Sequence, residues 1–269
     1  MTGTVTAVEG RVSVLGVAKG ARDAEGIEDA CWPPEPVSAA GPVVRLALAD
    51  GVSDSYRPGP WARDLVRAFG TRAPLRATTD PAEFAEVLRR QCAAWAPRLR
   101  GYVRDEREGR HLPWWEKRKL RAGSAATVLV VCVCGDGVWT AAALGDTCVF
   151  HVSRDGRAAR AFPLDDAGGF DSAPPTVASA DTDWATVRRN IRLHQGSWRS
   201  GDRFFLASDA LAEWALQRHA RHGDPWRELD EAVDAGDADA GEFARWVAER
   251  RTAGAMRDDD VSVIRLVLK

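Results

Sequence analysis

Three apolar runs of this sequence stop or start at aspartate. VVRLALAD ends at Asp50, RFFLASD ends at Asp209, and Asp258, Asp259 and Asp260 precede VSVIRLVLK. A carboxylate at the end of a buried strand is costly unless a cation compensates its charge. Oxygen ligands without histidine or cysteine suit hard ions such as Mg²⁺ and Mn²⁺. We therefore expect a divalent-cation site where these strands reach the edges of their sheets.

Two hard cations held close together by carboxylates would support hydrolysis. They can lower the pKa of a bound water and direct the resulting hydroxide at a phosphate ester. This chemistry needs no nucleophilic side chain, so no phosphoenzyme intermediate is expected. The carboxylates would also repel one another unless cations neutralised them, so the metal would be part of the active form.

The elements that must position these aspartates are strands with helices outside them. Apolar alternation and continuous apolar runs predict strands, and apolar residues at spacings of three and four predict helices. Because strands and helices do not alternate regularly, the pattern indicates an α+β fold. The expected strands are 4–17, 43–50, a meander within 122–156, 203–209 and 261–268, and the expected helices are 59–70, 80–108, 210–218, 226–234 and 242–251. Residues 19–42 are predicted as a long loop, 114–121 as a basic connector, and 165–185 as a mobile loop.

Composition limits the classes of function. A chain of 269 residues and 29.2 kDa fits one large domain, and a net charge of -2 disfavours nucleic acid as a partner. The five cysteines are an odd number in apolar contexts, which fits free thiols in a reducing compartment. No leader pattern is present, and no apolar run approaches the roughly 20 residues of a membrane helix. We expect a cytoplasmic, monomeric protein that does not bind membranes.

Six segments, in this order along the chain, resemble the metal-dependent type 2C (PPM-type) protein serine/threonine phosphatases. Any one of them alone is a common short motif, but together they span nearly the whole chain. The segments are GIEDA at 26–30, LADGVSDS at 48–55, AGSAATVLVV at 122–131, AALGDTCVFHVSRDG at 142–156, GDRFFLASDALAEW at 201–214 and RDDDVSVIRL at 257–266.

The resemblance implies a single domain over residues 1–269, folded as a four-layer α-β-β-α sandwich of two antiparallel sheets with flanking helices. It also implies two Mn²⁺ or Mg²⁺ ions between the sheets. Asp50 would bridge the ions, Asp209 and Asp259 would complete one ion, and Glu28 with the Gly51 carbonyl would hold the other. These are the residues expected to carry metal binding and, for the three aspartates, catalysis.

Further roles follow from the same resemblance, with departures from its pattern. Asp146 would serve a third, weaker ion. The family's phosphate-binding arginine corresponds to Ala24 here, so Arg22 is the candidate for that role. Ala210 and Asp260 replace a usual glycine and a usual asparagine.

The resemblance favours hydrolysis of phosphoserine or phosphothreonine on protein substrates, opposing a serine/threonine kinase. Two alternatives stay open. The departures are compatible with a pseudophosphatase that binds a phosphoprotein without turnover, and a small phosphorylated metabolite would use the same site. Most of the eleven tryptophans are expected to cover the core and its seams, but Trp114 and Trp115 would mark a docking surface if they are exposed.

Overall fold

The fold is a sandwich of two antiparallel sheets between two layers of helices, as predicted. A computed structural model of the chain describes residues 7–20, 26–107, 111–156, 159–170, 173–180 and 182–269. Its strands are β1 (Val8–Val17), β2 (Ala30–Trp32), β3 (Val37–Gly41), β4 (Val43–Ala49), β5 (Ala125–Ala126), β6 (Val128–Cys134), β7 (Val138–Leu144), β8 (Cys148–Val152), β9 (Ala159–Phe162), β10 (Val177–Ala178), β11 (Arg192–Ser197), β12 (Arg203–Ala207) and β13 (Val261–Leu268).

Two large sheets face each other. One has six strands in the order β3-β1-β13-β12-β8-β9, and the other has five in the order β11-β7-β6-β4-β2. A separate pair joins β10 to β5. The VVRLALAD run forms β4 inside the five-stranded sheet, which agrees with its continuously apolar sequence.

Seven helices lie among the described residues. None of them combines the length and apolar character that a membrane crossing requires. The described residues also contain two short 3₁₀ turns, Leu75–Thr78 and Ala167–Gly169. The helices are α1 (Pro58–Thr71), α2 (Pro81–Arg107), α3 (Trp114–Ala122), α4 (Trp184–Asn190), α5 (Asp209–Ala220), α6 (Pro225–Ala238) and α7 (Ala240–Thr252).

Alternating side chains on the strands build three core layers. In β6, Leu129 and Val131 point between the sheets, while Val128 and Val130 point toward α1 and α2. In the same way, Phe204 of β12 points between the sheets, and Phe205 points toward α5, α6 and α7. The interiors of β6 and β12 are therefore apolar on both faces.

Three sequence predictions about connections are wrong. The loop at 19–42 contains β2 and β3, and the loop at 165–185 contains β10 and the start of α4. These strands are short and sit beside Pro- and Ser-rich stretches, so their alternation is too brief to detect. The connector at 114–121 is the helix α3. None of its residues is fully buried, so its sequence has no apolar stripe from which a helix could be predicted. The five cysteines are free, as predicted.

Candidate metal centre

Strand pairing in the five-stranded sheet sets two aspartates side by side. β2 pairs with β4 so that Ala30 lies opposite Ala49. Asp29, which precedes β2, is therefore a neighbour of Asp50, which follows β4. The Asp50 carbonyl also accepts a hydrogen bond from the Thr127 backbone, at 2.9 Å, which fastens the end of β4.

The six-stranded sheet supplies a second pair in the same way. β12 and β13 are antiparallel neighbours, and Ala207 lies opposite Val263. The end of β12 is thus beside the start of β13, which brings Asp209 close to Asp259. The structure thus places these two strand-end aspartates close together.

The electrostatics of Asp50 show that the two pairs face each other. Burial raises the pKa of Asp50 well above its ordinary value, and the nearby negative charges of Asp29, Asp209, Asp146 and Asp259 raise it further. The structure therefore brings four of the predicted site residues, Asp50, Asp146, Asp209 and Asp259, into one electrostatic cluster. A cluster of like charges favours any cation that can enter it.

Asp29 is a member of the cluster that the sequence analysis did not assign as a ligand. It is buried, and neither carboxylate oxygen has a hydrogen-bond partner among the described residues. Burial, together with the charges of Asp260 and Asp209, raises its pKa to about 8. The GIEDA segment contains both Glu28 and Asp29. Only the pairing of β2 with β4 shows that Asp29 is the acid beside Asp50.

Glu28 and Asp259 share a lysine ammonium group that the sequence analysis did not place. The Lys19 Nζ atom lies 2.8 Å from Glu28 Oε2 and 3.4 Å from Asp259 Oδ1. Ser53 donates its hydroxyl hydrogen to Glu28 Oε2 at 2.6 Å. Two predicted metal ligands are therefore held by an internal cation and a hydroxyl group.

Asp209 is paired with a second internal cation. Arg257 Nη2 lies 2.6 Å from Asp209 Oδ2, and Arg257 Nε lies 2.9 Å from Glu213 Oε2. Burial raises the pKa of Asp209, and the guanidinium of Arg257 opposes that rise. Arg257 thus supplies part of the charge compensation that the strand-end aspartate requires.

The three consecutive aspartates have three different environments. Asp258 is exposed, whereas Asp260 is buried and accepts hydrogen bonds from the backbone nitrogens of Lys19, at 2.8 Å, and Glu28, at 2.7 Å. Asp260 therefore holds the chain on both sides of the 19–28 segment, which is a positioning role. Asp258, although exposed, accepts a hydrogen bond of 2.9 Å from the Gly20 backbone nitrogen.

Gly51 is required by the close approach of two chain segments. A Cβ atom at this position would lie 2.7 Å from the Glu28 carbonyl oxygen and 2.8 Å from Pro58 Cβ. Any side chain would therefore push β4 away from the residue that precedes Asp29. The metal-binding role predicted for the Gly51 carbonyl remains a prediction.

Two predicted residues stand apart from the central pairs. Asp146 is buried just after β7, and its neighbour Thr147 shares a hydroxyl hydrogen bond of 2.8 Å with Thr127. It influences the pKa of Asp50 through space. Arg22, predicted to bind phosphate, lies outside the described residues, as does Ala24.

The donor set fits a hard divalent cation. Within the described residues, no group of three or more acidic, histidine or cysteine side chains is arranged as a formed ion site. The acidic side chains nevertheless supply only oxygen atoms, and the Asp29 carboxylate is buried with no partner in the described part of the chain. Mg²⁺ or Mn²⁺ is the cation class that such oxygens favour.

Comparisons with solved structures find the same fold. The magnesium complex of RsbX has a TM-score of 0.53 and 13% identity, over 97% of this chain and 96% of that chain. The catalytic domain of the serine threonine protein phosphatase PstP, with 2 manganese ions, has a TM-score of 0.55 and 17% identity, over 98% and 99%. The Mycobacterium tuberculosis serine/threonine phosphatase PstP/Ppp has a TM-score of 0.55 and 16% identity, over 97% and 99%.

Sequence comparison gives the family. A search among curated proteins found no significant match. The family model described as protein phosphatase 2C matches residues 28–246, which is more than half of the chain and includes Asp29, Asp50 and Asp209. The predicted family is confirmed: the chain belongs to the protein phosphatase 2C family.

Proposed function

We propose that the protein is a metal-dependent phosphatase that hydrolyses phosphoserine or phosphothreonine on protein substrates. The observation that carries this proposal is the meeting of Asp29 and Asp50 from one sheet with Asp209 and Asp259 from the other. Membership of a phosphatase family supports phosphoproteins as the substrate class. A serine/threonine kinase that phosphorylates the same substrates would be the opposing enzyme.

The carboxylates would hold two Mn²⁺ or Mg²⁺ ions. Asp50 would be shared between the ions, with Asp209 and Asp259 on one side and Glu28 and the Gly51 carbonyl on the other. When bound, such ions supply a Lewis acid and an acidified water at neutral pH. Solved structures of this fold that contain magnesium or manganese support the choice of metal.

The remaining residues of the cleft would orient and shield this centre. The Asp29 carboxylate has no hydrogen-bond partner among the described residues. It would therefore bind the metal ion beside Asp50 or accept a hydrogen bond from a water on that ion. Asp146 would serve a third, weaker ion. Arg22 remains our candidate for holding the substrate phosphate, and Lys19 is a second cation, which lies beside Glu28 and Asp259.

A pseudophosphatase is the second candidate, and one observation favours it. Lys19 and Arg257 already pair with Glu28, Asp259 and Asp209, so these carboxylates are partly neutralised by the protein itself. A binding module that no longer hydrolyses phosphate esters could use these ion pairs, instead of metal ions, to stabilise its buried carboxylates. The two candidates differ in whether added metal produces hydrolysis.

The decisive experiment compares neighbouring aspartates. Hydrolysis of p-nitrophenyl phosphate and of a phosphothreonine peptide is measured with Mn²⁺, with Mg²⁺ and with a chelator. We expect turnover only with metal, and a loss of about 100-fold or more in Asp50→Asn and Asp259→Asn. Asp258→Asn is the matched control, because this exposed neighbour should keep full activity.

The outcomes separate the candidates. Full activity in Asp259→Asn would remove that residue from the centre. Metal binding by a folded wild-type protein without any turnover would favour the pseudophosphatase. Preference for the peptide over p-nitrophenyl phosphate would support a protein substrate rather than a small metabolite.

A further inference from the structure

The helix α3 presents two tryptophans to solvent. Trp114 is 72% exposed and Trp115 is 53% exposed, and no residue of the helix is buried. Their indole rings meet edge to face at 6.0 Å between centroids. Leu120, which is partly buried, packs against the core, but a helix of nine residues with so little packed surface is marginal by itself. Large exposed aromatic side chains in contact with each other are typical of an interaction surface rather than of a solvated helix.

The same helix is strongly basic. It carries four cationic side chains and a single carboxylate, that of Glu116, in a chain whose net charge is -2. Lys117, Arg118 and Arg121 are exposed. The cations therefore create a local positive field beside the tryptophans, which would attract a partner with negative charge.

The helix lies beside the candidate metal centre. Lys119 Nζ is 3.4 Å from the Ser53 carbonyl oxygen and 3.7 Å from Asp54 Oδ1. Ser53 in turn donates its hydroxyl hydrogen to Glu28. The Gly123 carbonyl, just after α3, accepts a hydrogen bond of 3.0 Å from the Tyr56 backbone. The C-terminal end of α3 is thus fastened to the loop that follows Asp50.

We propose that α3 is the docking surface for the phosphorylated protein substrate. It would take an acidic segment that carries a large apolar side chain near the phosphorylated residue. The basic residues would pair with the acids, and the two indoles would cover the apolar side chain. This inference rests on the proposed phosphatase function for the identity of the partner, and it adds the sequence character of the substrate.

A protein segment fits this surface better than a membrane does. The helix has nine residues, so its apolar contact is limited to the two indole rings. Stable membrane attachment usually needs a second anchoring signal. Ser53, in contrast, contacts both Glu28 of the candidate centre and Lys119 of α3, so a protein segment bound at the centre would lie close to α3.

The test uses two variants of the full chain and two controls. One variant is Trp114→Ala with Trp115→Ala, and the other is Lys117→Glu with Arg118→Glu and Arg121→Glu. The controls remove an exposed apolar side chain, Leu75→Ala, and reverse an exposed charge on the opposite helix layer, Arg227→Glu. The probes are a fluorescent phosphothreonine peptide with acidic and leucine residues on both sides, its neutral counterpart, and p-nitrophenyl phosphate.

We expect both α3 variants to raise the KM for the acidic peptide about tenfold or more and to leave hydrolysis of p-nitrophenyl phosphate unchanged. The neutral peptide and the two control variants should show no such difference. Higher salt should weaken the preference of the wild-type protein for the acidic peptide. Equal KM values for the acidic peptide in wild type and α3 variants would overturn the proposal.

Equilibrium binding keeps this test independent of turnover. Anisotropy of the fluorescent acidic peptide, measured in chelator, should show tight binding to wild type and about tenfold weaker binding to both α3 variants. Failure of all hydrolysis with this binding intact would count against the phosphatase function alone. Binding of wild type to vesicles containing phosphatidylserine, lost in the α3 variants while peptide binding is unchanged, would replace the protein partner with a membrane.

Discussion

At the scale of single residues, internal cations compete with the metal that the carboxylates would bind. Lys19 Nζ contacts Glu28 and Asp259, two residues expected to be metal ligands. A divalent ion that uses these carboxylates must displace the ammonium group. We therefore expect the lysine to stabilise the protein without metal and to lower its affinity for metal.

Replacing Lys19 with methionine tests this competition. We expect Lys19→Met to bind Mn²⁺ about threefold to tenfold more tightly in a calorimetric titration, since a charge-assisted hydrogen bond contributes about 1.5–3 kcal/mol before other losses are subtracted. Its melting temperature in chelator should fall, because two carboxylates lose a partner. Lys269→Met, at the exposed end of β13, is the control. Weaker Mn²⁺ binding in Lys19→Met would show that the lysine supports the site instead.

At the scale of elements, helix α1 holds the short strand β2 and hence Asp29 in place. Gly70 of α1 lies directly against the indole ring of Trp32 in β2, so that a Cβ atom at Gly70 would be 2.2 Å from Trp32 Cδ1. Gly101 of α2, in contrast, has no neighbouring atom within 4 Å of such a Cβ position. Close packing therefore excludes a side chain at position 70 but not at position 101.

Alanine substitution should have opposite effects at these two positions. Alanine is favoured over glycine within a helix by about 0.8–1.0 kcal/mol. Gly101→Ala should therefore raise the free energy of unfolding by about 0.5–1 kcal/mol. In Gly70→Ala the collision with Trp32 should outweigh that gain and give a net loss of about 1–3 kcal/mol. Urea denaturation measures both; a stabilised Gly70→Ala would mean that Trp32 moves aside without cost.

At the scale of the whole molecule, the meeting of two sheets at one acidic cluster links stability to pH and metal. The pKa of Asp29 is raised to about 8 and that of Asp50 is also raised, whereas an unfolded aspartate titrates near 4. The folded state without metal therefore holds these protons more tightly than the unfolded state. Their contribution is fully favourable below about pH 4 and is lost as the pH rises toward about 8.

Thermal unfolding in chelator should reveal this linkage. We expect the melting temperature of the metal-free protein to fall between pH 5.5 and pH 8, and Mn²⁺ to raise it more at pH 8 than at pH 5.5. Asp29→Asn removes the titrating group with little change in size, so its melting temperature should depend less on pH. If wild type and Asp29→Asn gave parallel pH profiles, the raised pKa of Asp29 would not contribute to stability.

The sequence by itself determined the fold class, the family and the aspartates at the strand ends. These follow from local patterns, since an apolar run that stops at Asp50 or Asp209 can be recognised without knowing its neighbours. The β4, β12 and β13 strands were predicted for the same reason. The helix α3 was missed because its exposed tryptophans and basic residues leave no apolar periodicity.

Only the tertiary structure decided how the acids of the site are distributed between the buried centre and its surroundings. Asp260 reaches the backbone of Lys19 across 241 positions of sequence, and Lys19 reaches Asp259 across 240. Such contacts depend on β1 and β13 being neighbours in one sheet, which no local pattern specifies. The inward direction of Asp29 likewise depends on the pairing of β2 with β4. Burial and charge pairing are properties of the assembled sheets, so the sequence alone could name the acids but not their partners.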